Sequence, residues 1–210
     1  MESQYKNGQI IRFLYFLFLV SACTDKVNPK EQIYNVSLAQ NGDIIYRLGN
    51  GLFSNFFKDF SKRDKKFSHV GIIYKTENND TTFVIHAEAD DFSGIGYVKK
   101  EPVSIFLRDV KDWAIYRFNA DKRIQKKISE YAFQYHQKKI PFDTAFEIDD
   151  SSAFYCTELV GHCINNALQY KVIKSNTVMK SRAYIATDDT YLIDDMKLIM
   201  ANSNNVAVKY

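Results

Sequence analysis

Histidine and cysteine are scarce in this chain, four and three in 210 residues, and none stands in a close His-x-x-x-His or Cys-x-x-Cys pair. A zinc site built from neighbouring ligands is thereby excluded, and neither a metal nor another cofactor is expected. Charge of one sign is lacking too. With 28 basic and 25 acidic side chains the net charge is +3, too balanced to point to a nucleic-acid partner. No apolar stretch is long enough to stay in a bilayer: the run Phe13 to Val20 reaches roughly 12 Å as a helix against a hydrocarbon core of about 30 Å. Internal repeats are absent, and the Gly49-Asn50-Gly51 triplet lacks a phosphate-loop pattern and reads as a turn. What is plentiful is aromatic surface, 15% of the residues, enough for one core of ordinary domain size.

The short apolar run has a use of its own. Lys6 and Arg12 precede it, and Ser21, Ala22 and Cys23 follow, the layout of an export signal. Val20-Ser21-Ala22-Cys23 resembles the bacterial lipobox, in which the cysteine is lipidated and becomes the new N-terminus. The expectation is a signal peptide over 1–22, a lipid-anchored tether over 23–38 that is polar and carries Pro29, and one domain over 39–210. That places the protein in a bacterial cell envelope, held to a membrane through Cys23, as a monomer by default. Cys156 and Cys163 then remain as thiols. Seven residues apart on one helix, their Cα atoms would be about 10 Å apart, beyond the reach of a disulfide.

From residue 42 the pattern alternates. Strands are expected over 42–48, 68–74, 82–87, 94–98 and 113–118, the middle three adjacent and antiparallel with a turn at Glu77-Asn78-Asn79-Asp80. Leu52 to Phe60 has helical spacing, and 103–109 reads as a helical turn. Asp121 starts an amphipathic helix to about Lys139, closed by Pro141. A second helix, from about Tyr155 to Leu168, buries Leu159, Val160, Cys163, Ile164 and Leu168. The last forty residues have no readable order. The basic cluster Lys62, Arg63, Lys65 and Lys66 reads first as a solvated turn, with anionic lipid or wall polymer as the alternative.

A thiol is a nucleophile as thiolate, which a helix N-terminus and a neighbouring imidazole both favour. Cys156 opens its helix, after Asp149-Asp150-Ser151-Ser152, residues of N-cap type; Cys163 falls on the apolar stripe. Four segments then occur in order: Gly42-Asp43-Ile44-Ile45, Ser68-His69-Val70-Gly71-Ile72-Ile73, Pro141-Phe142-Asp143, and Phe154-Tyr155-Cys156-Thr157-Glu158-Leu159-Val160. Together they resemble the circularly permuted NlpC-type papain-like cysteine peptidases and amidases, the YiiX-like branch, in which histidine precedes cysteine. The resemblance spans 42–168.

It implies an α+β permuted papain-like fold, an antiparallel sheet of about five strands packed against helices, with Cys156 as nucleophile and His69 as base. It also implies that the third polar residue, which orients the base, stands on the next strand before an alanine. Here that is His86, before Ala87; much of the branch has Glu there, and a second His is similar to the lecithin-retinol acyltransferase group. Glu88, two residues on and hence on the same strand face, is the supporting or alternative third member. His136 and His162 are read as structural. The implied function is a hydrolase acting on acyl bonds through a thioester, on cell-wall peptides, with lipid acyl transfer or a non-catalytic binding lipoprotein as alternatives. Acidic Glu147, Asp149 and Asp150 are a weak attraction for an amine-bearing substrate.

Overall fold

A computed structural model describes residues 35–50, 57–76, 81–90, 92–148, 152–179 and 181–202. The chain divides into two units, Met1–Glu31 and Gln32–Tyr210, and the fold described is that of the second. The signal segment, Cys23, the Glu77 to Asp80 turn, most of the Leu52 to Phe60 segment, and Asp149 and Asp150 lie outside the described residues. No helix among the described residues is long and apolar enough to cross a membrane.

Strands β1 (Ile44–Gly49), β2 (His69–Lys75), β3 (Thr82–Ala89) and β4 (Gly96–Pro102) are followed by the short helix α1 (Val103–Phe106) and strand β5 (Val110–Phe118). Helices α2 (Lys122–Gln137) and α3 (Cys156–Leu168) come next. A hairpin of β6 (Thr177–Met179) and β7 (Arg182–Tyr184), a short α4 (Thr187–Tyr191) and β8 (Met196–Ala201) complete the chain. The main sheet has the order β4-β3-β2-β1-β5-β8, every neighbour antiparallel. Its six strands correct the expectation of about five. The sixth, β8, belongs to the stretch that gave no readable order: Lys197 and Leu198 are both exposed, so no face is marked by an apolar row, and pairing with β5 makes it a strand.

Alternation along the central strands sends side chains to two cores. Ile44, Tyr46, Val70, Ile72, Ile85 and Ala87 face the helices, meeting Ile128 and Ala132 of α2 and Leu159, Val160, Cys163 and Ile164 of α3. Ile45, Ile73, Val84, Trp113 and Ile115 form a smaller core on the other face with Phe106, Leu107 and Val36, so the folded unit takes in Val36. Asp121 caps α2, its carboxylate accepting the Ile124 amide at 2.8 Å. Gln169 ends α3 in the left-handed conformation (φ 63°).

The basic cluster keeps Lys62, Arg63 and Lys65 exposed, as a solvated turn would, while its backbone is tied down. Asp188, wholly buried, accepts the backbone amides of Lys62, Arg63 and Asp64 at 3.1, 2.7 and 3.2 Å, while the Arg63 guanidinium reaches Asp189 at 3.3 Å. These contacts lash the loop before β2 to α4.

Gly71 of β2 packs directly against Val84 and His86 of β3. An added Cβ would lie 2.4 Å from Val84 Cγ1 and 3.1 Å from His86 Cβ, too close for a packed sheet. Gly71→Ala is expected to destabilise the protein by about 2 kcal/mol, read from the urea midpoint, and to loosen the contact between His69 and His86. An unchanged midpoint would show that β3 yields freely.

Candidate active site

Four neighbouring strands and one helix end converge on the site. His69 is the first residue of β2, paired with Arg47 of β1; His86 and Glu88 share a face of β3. The pairing of Ile72 with Ile85, carried one step on, puts Gly71 opposite His86. The missing side chain at Gly71 therefore gives the His86 ring room to lean toward His69, two residues away on the same face. The rings meet edge to face, His69 Nε2 standing 2.8 Å from His86 Nδ1. Phe106 packs on both imidazoles, its ring centroid 5.7 Å from that of His69 and 5.0 Å from that of His86, and the Arg47 guanidinium lies 4.5 Å over the Phe106 ring.

Charged groups surround the two imidazoles in balance. Glu88 is bonded to Arg47 and to Lys99 at 2.6 Å, and its Oε1 is 3.9 Å from His69 Nε2. His86, with no exposed surface, has its Nε2 3.1 Å from Glu101 Oε1, within ion-pair range but without the alignment of a straight hydrogen bond. Lys99 reaches Glu101 as well, at 3.4 Å. Sequence reasoning missed Arg47, Lys99 and Glu101. The available signal was the alternation in Lys99-Lys100-Glu101, but which residues turn toward His86 follows only from the β3–β4 register.

Cys156 is the first residue of α3. The N-cap is Tyr155, in extended conformation, a correction to the expectation that the preceding acidic and serine stretch would supply it. The Tyr155 amide donates to Glu158 Oε2 at 3.4 Å, and the Tyr155 hydroxyl accepts the Ile185 amide at 2.9 Å. These bonds fix where the helix begins. Backbone amides of Thr157 and of Val70, the residue after His69, favour the Cys156 thiolate, but burial outweighs them and pushes the thiol up to about 11. Cys156 and His69 line one cavity of about 530 Å³, with Arg47, Glu88, Phe142, Phe146 and Tyr155 among its other walls. Both Cys156 and Cys163 are free thiols; Cys163 is wholly buried in the helix-side core.

The remaining expected residues lie elsewhere. His136 Nδ1 is 3.1 Å from the Val98 carbonyl, and His162 packs on Phe154 with ring centroids 4.7 Å apart. Glu147 is exposed and pairs with Arg182 at 3.2 Å.

Burial lowers the imidazole of His69 well below its ordinary value, helped by Arg47, and burial likewise lowers His86 against the pull of Glu101. Burial alone would raise the Glu88 carboxyl; His69, His86, Arg47 and Lys99 overturn that and hold it well below the carboxylate range. Glu101 is lowered in the same way, burial opposed by His86 and Lys99. All four groups thus bind protons more readily when unfolded, so the stability they contribute is present at high pH and lost on acidification. The histidine part should start to fall below about pH 6.5 and the carboxylate part below about pH 4.5. Urea midpoints should therefore decline between pH 7.5 and 5.5, and the decline should flatten in a His69→Ala/His86→Ala protein. An equal slope in both proteins would remove the histidines as its cause.

His69, His86 and Glu88 offer ligand atoms that all lie within 4.8 Å of one another. They do not fit a resident metal ion. The two imidazole nitrogens, 2.8 Å apart, are closer than the roughly 3.4 Å that tetrahedral bonds of ~2.1 Å give, and a hydrogen bond already occupies both. Glu88 is taken by two cations, Arg47 and Lys99, which would oppose a third.

None of the curated proteins matches the chain. Among solved structures, the metalloprotein yiiX from Escherichia coli O157:H7 shares the fold with a TM-score of 0.61 at 16% identity, over 78% of this chain and 97% of that one. The family description "Permuted papain-like amidase enzyme, YaeF/YiiX, C92 family" matches residues 38–206. Since that match takes in nearly all of the described fold, its six-stranded sheet and the residues around the cavity, the chain belongs to the permuted papain-like amidases of the YaeF/YiiX family.

Proposed function

We propose that this protein is an exported, lipid-anchored cysteine amidase that cleaves acyl bonds of cell-wall peptides through a thioester on Cys156. The family makes it a papain-like hydrolase; substrate, anchor and the roles of single residues are our reading. The observation that carries it is the 2.8 Å contact between His69 Nε2 and His86 Nδ1 beside a cavity that Cys156 also lines. With Nε2 engaged by His86, His69 keeps Nδ1 for the thiol. In the reaction His69 takes the Cys156 proton as sulfur attacks the acyl carbon. The proton then passes to the leaving amine as the tetrahedral intermediate collapses to a thioester, which water, deprotonated by His69, hydrolyses. Backbone amides at the head of α3 supply part of the oxyanion site.

Burial of the thiol and the imidazole makes the resting pair neutral, a thiol beside an imidazole, so the proton moves when substrate arrives. Neither step needs a metal ion, and the three residues nearest to forming a metal site are engaged with one another and with cations.

A second reading has support of its own. The cavity walls include Phe57, Val110, Phe142, Phe146 and Tyr155, an apolar surface suited to an acyl chain, and with His86 as a second histidine they favour a lipid acyltransferase or acylhydrolase using the same thioester. Incubating the protein with cell-wall peptide fragments and with phospholipid vesicles, against Cys156→Ala, separates the readings. Release of amines from the peptides is the expected result; acyl release from lipid alone would move the protein to the second reading. No Cys156-dependent product from either would leave a non-catalytic binding lipoprotein.

A further inference from the structure

A base must present a bare nitrogen, and a neutral imidazole has only one. Which nitrogen of His69 is bare depends on His86, because His69 Nε2 and His86 Nδ1 share a single hydrogen bond at 2.8 Å. If the shared proton belongs to His69, its Nδ1 is free to accept from the thiol. If it belongs to His86, the proton of His69 moves to Nδ1 and the base is lost. The hydrogen bond by itself is symmetric in chemistry, so something beyond His86 must break the tie.

We infer that Glu101 is a positioning residue of this site, acting through His86 to hold both imidazoles in the tautomer that leaves His69 Nδ1 bare. Glu101 Oε1 stands 3.1 Å from His86 Nε2, and a carboxylate can only accept. The proton of His86 is therefore drawn to Nε2, His86 Nδ1 is left as an acceptor, and His69 must donate from Nε2. The enclosure strengthens this preference, since His86 has no exposed surface and water does not compete. Glu101 is itself held in place: Lys99, directly across from His86 in the β3–β4 pairing, bridges Glu101 at 3.4 Å and Glu88 at 2.6 Å. Glu88 cannot substitute, because it lies on the His69 side, 3.9 Å from Nε2, and is bound to Arg47 and Lys99. The charged groups around the pair are thus Arg47 from β1, Glu88 from β3 and Lys99 and Glu101 from β4, with Cys156 of α3 lining the same cavity as His69, and of the charged groups Glu101 faces His86 Nε2.

The inference rests on the Cys156–His69 reading above, and its test keeps the two apart. Full-length protein with ¹⁵N-labelled histidine, at pH 7.5, should show His86 and His69 both protonated at Nε2 only. A proton on His86 Nδ1 in the wild-type protein overturns the inference without any variant. Glu101→Leu should then give a mixture of tautomers at His86 and slow the iodoacetamide alkylation of Cys156 at least about tenfold, with the slowing retained from pH 6 to 9. If Glu101 serves only to pin β4, the variant lowers the thermal midpoint while tautomers and alkylation stay as in the wild type, and the inference is withdrawn. If His69→Ala itself leaves the alkylation of Cys156 no slower than in the wild type, the functional reading fails instead. A Glu101→Leu protein that does not fold leaves the wild-type tautomer to decide.

Discussion

His69→Ala is expected to lower Cys156-dependent turnover on the order of 10²- to 10⁴-fold, and to change the shape of its pH dependence. With the thiol pushed up to about 11, unassisted Cys156 is thiolate in about one molecule in 10⁴ at pH 7. With the imidazole held well below its ordinary value by burial and Arg47, His69 is a neutral base across the physiological range. The wild-type rate should therefore stay flat from about pH 6 to 9, bounded below by protonation of His69 and above by loss of the thiol proton. In His69→Ala that plateau should give way to a rise of about tenfold per pH unit toward the pKa of the thiol. Alkylation of Cys156 by iodoacetamide across this range reads both effects without knowledge of the substrate. Cys163, pushed well up by burial, is the internal control and should react slowly in both proteins. Thiolate absorbance at 240 nm that was present at pH 6 and lost in Cys156→Ala would mean a resting thiolate–imidazolium pair, against the electrostatics of this pocket.

Asp43→Ala should be the most damaging single change away from the cavity, destabilising the fold by about 3 kcal/mol. Asp43 has no exposed surface and accepts Arg117 Nε at 2.7 Å, Arg117 Nη2 at 2.8 Å and the Gln40 amide at 2.8 Å. The same guanidinium donates to the Leu38 carbonyl at 3.0 Å, so one carboxylate fastens the entry to β1 onto β5. Its loss leaves a partly buried cation and an unpaired amide together. Differential scanning calorimetry should show a midpoint lower by about 10 °C. A fall under about 2 °C would show that water replaces the carboxylate at little cost, as at a surface pair.

Most of the element order is legible in the sequence. Helix α2 announces itself through the cap at Asp121 and the spacing of Ile124, Ile128, Tyr131 and Tyr135, and β2 through Val70, Ile72 and Ile73, because these patterns arise from local geometry and from burial of one face. β8 was not legible, since its half-exposed residues owe their strand conformation to the free edge of β5. The N-cap of α3 was missed for a related reason. Tyr155 is not a residue that caps by itself, and its place is fixed by Glu158 and by the Ile185 amide, thirty residues away in sequence.

At the site the same division holds. Cys156, His69, His86 and Glu88 could be named from residue type, strand parity and the resemblance they carry, since a reactive thiol and an imidazole are rare and their spacing along the chain is visible. Arg47, Lys99 and Glu101 could not, because a surface lysine and a buried one are spelled alike, and only the register of β1 with β2 and of β3 with β4 selects the residues that face the histidines. Sequence alone thus determined most of the secondary elements and the residues proposed for the chemistry. Tertiary structure decided how the charges around them pair, and with it the protonation of each group, because electrostatic coupling depends on distances of a few ångströms between strands that the linear order does not encode.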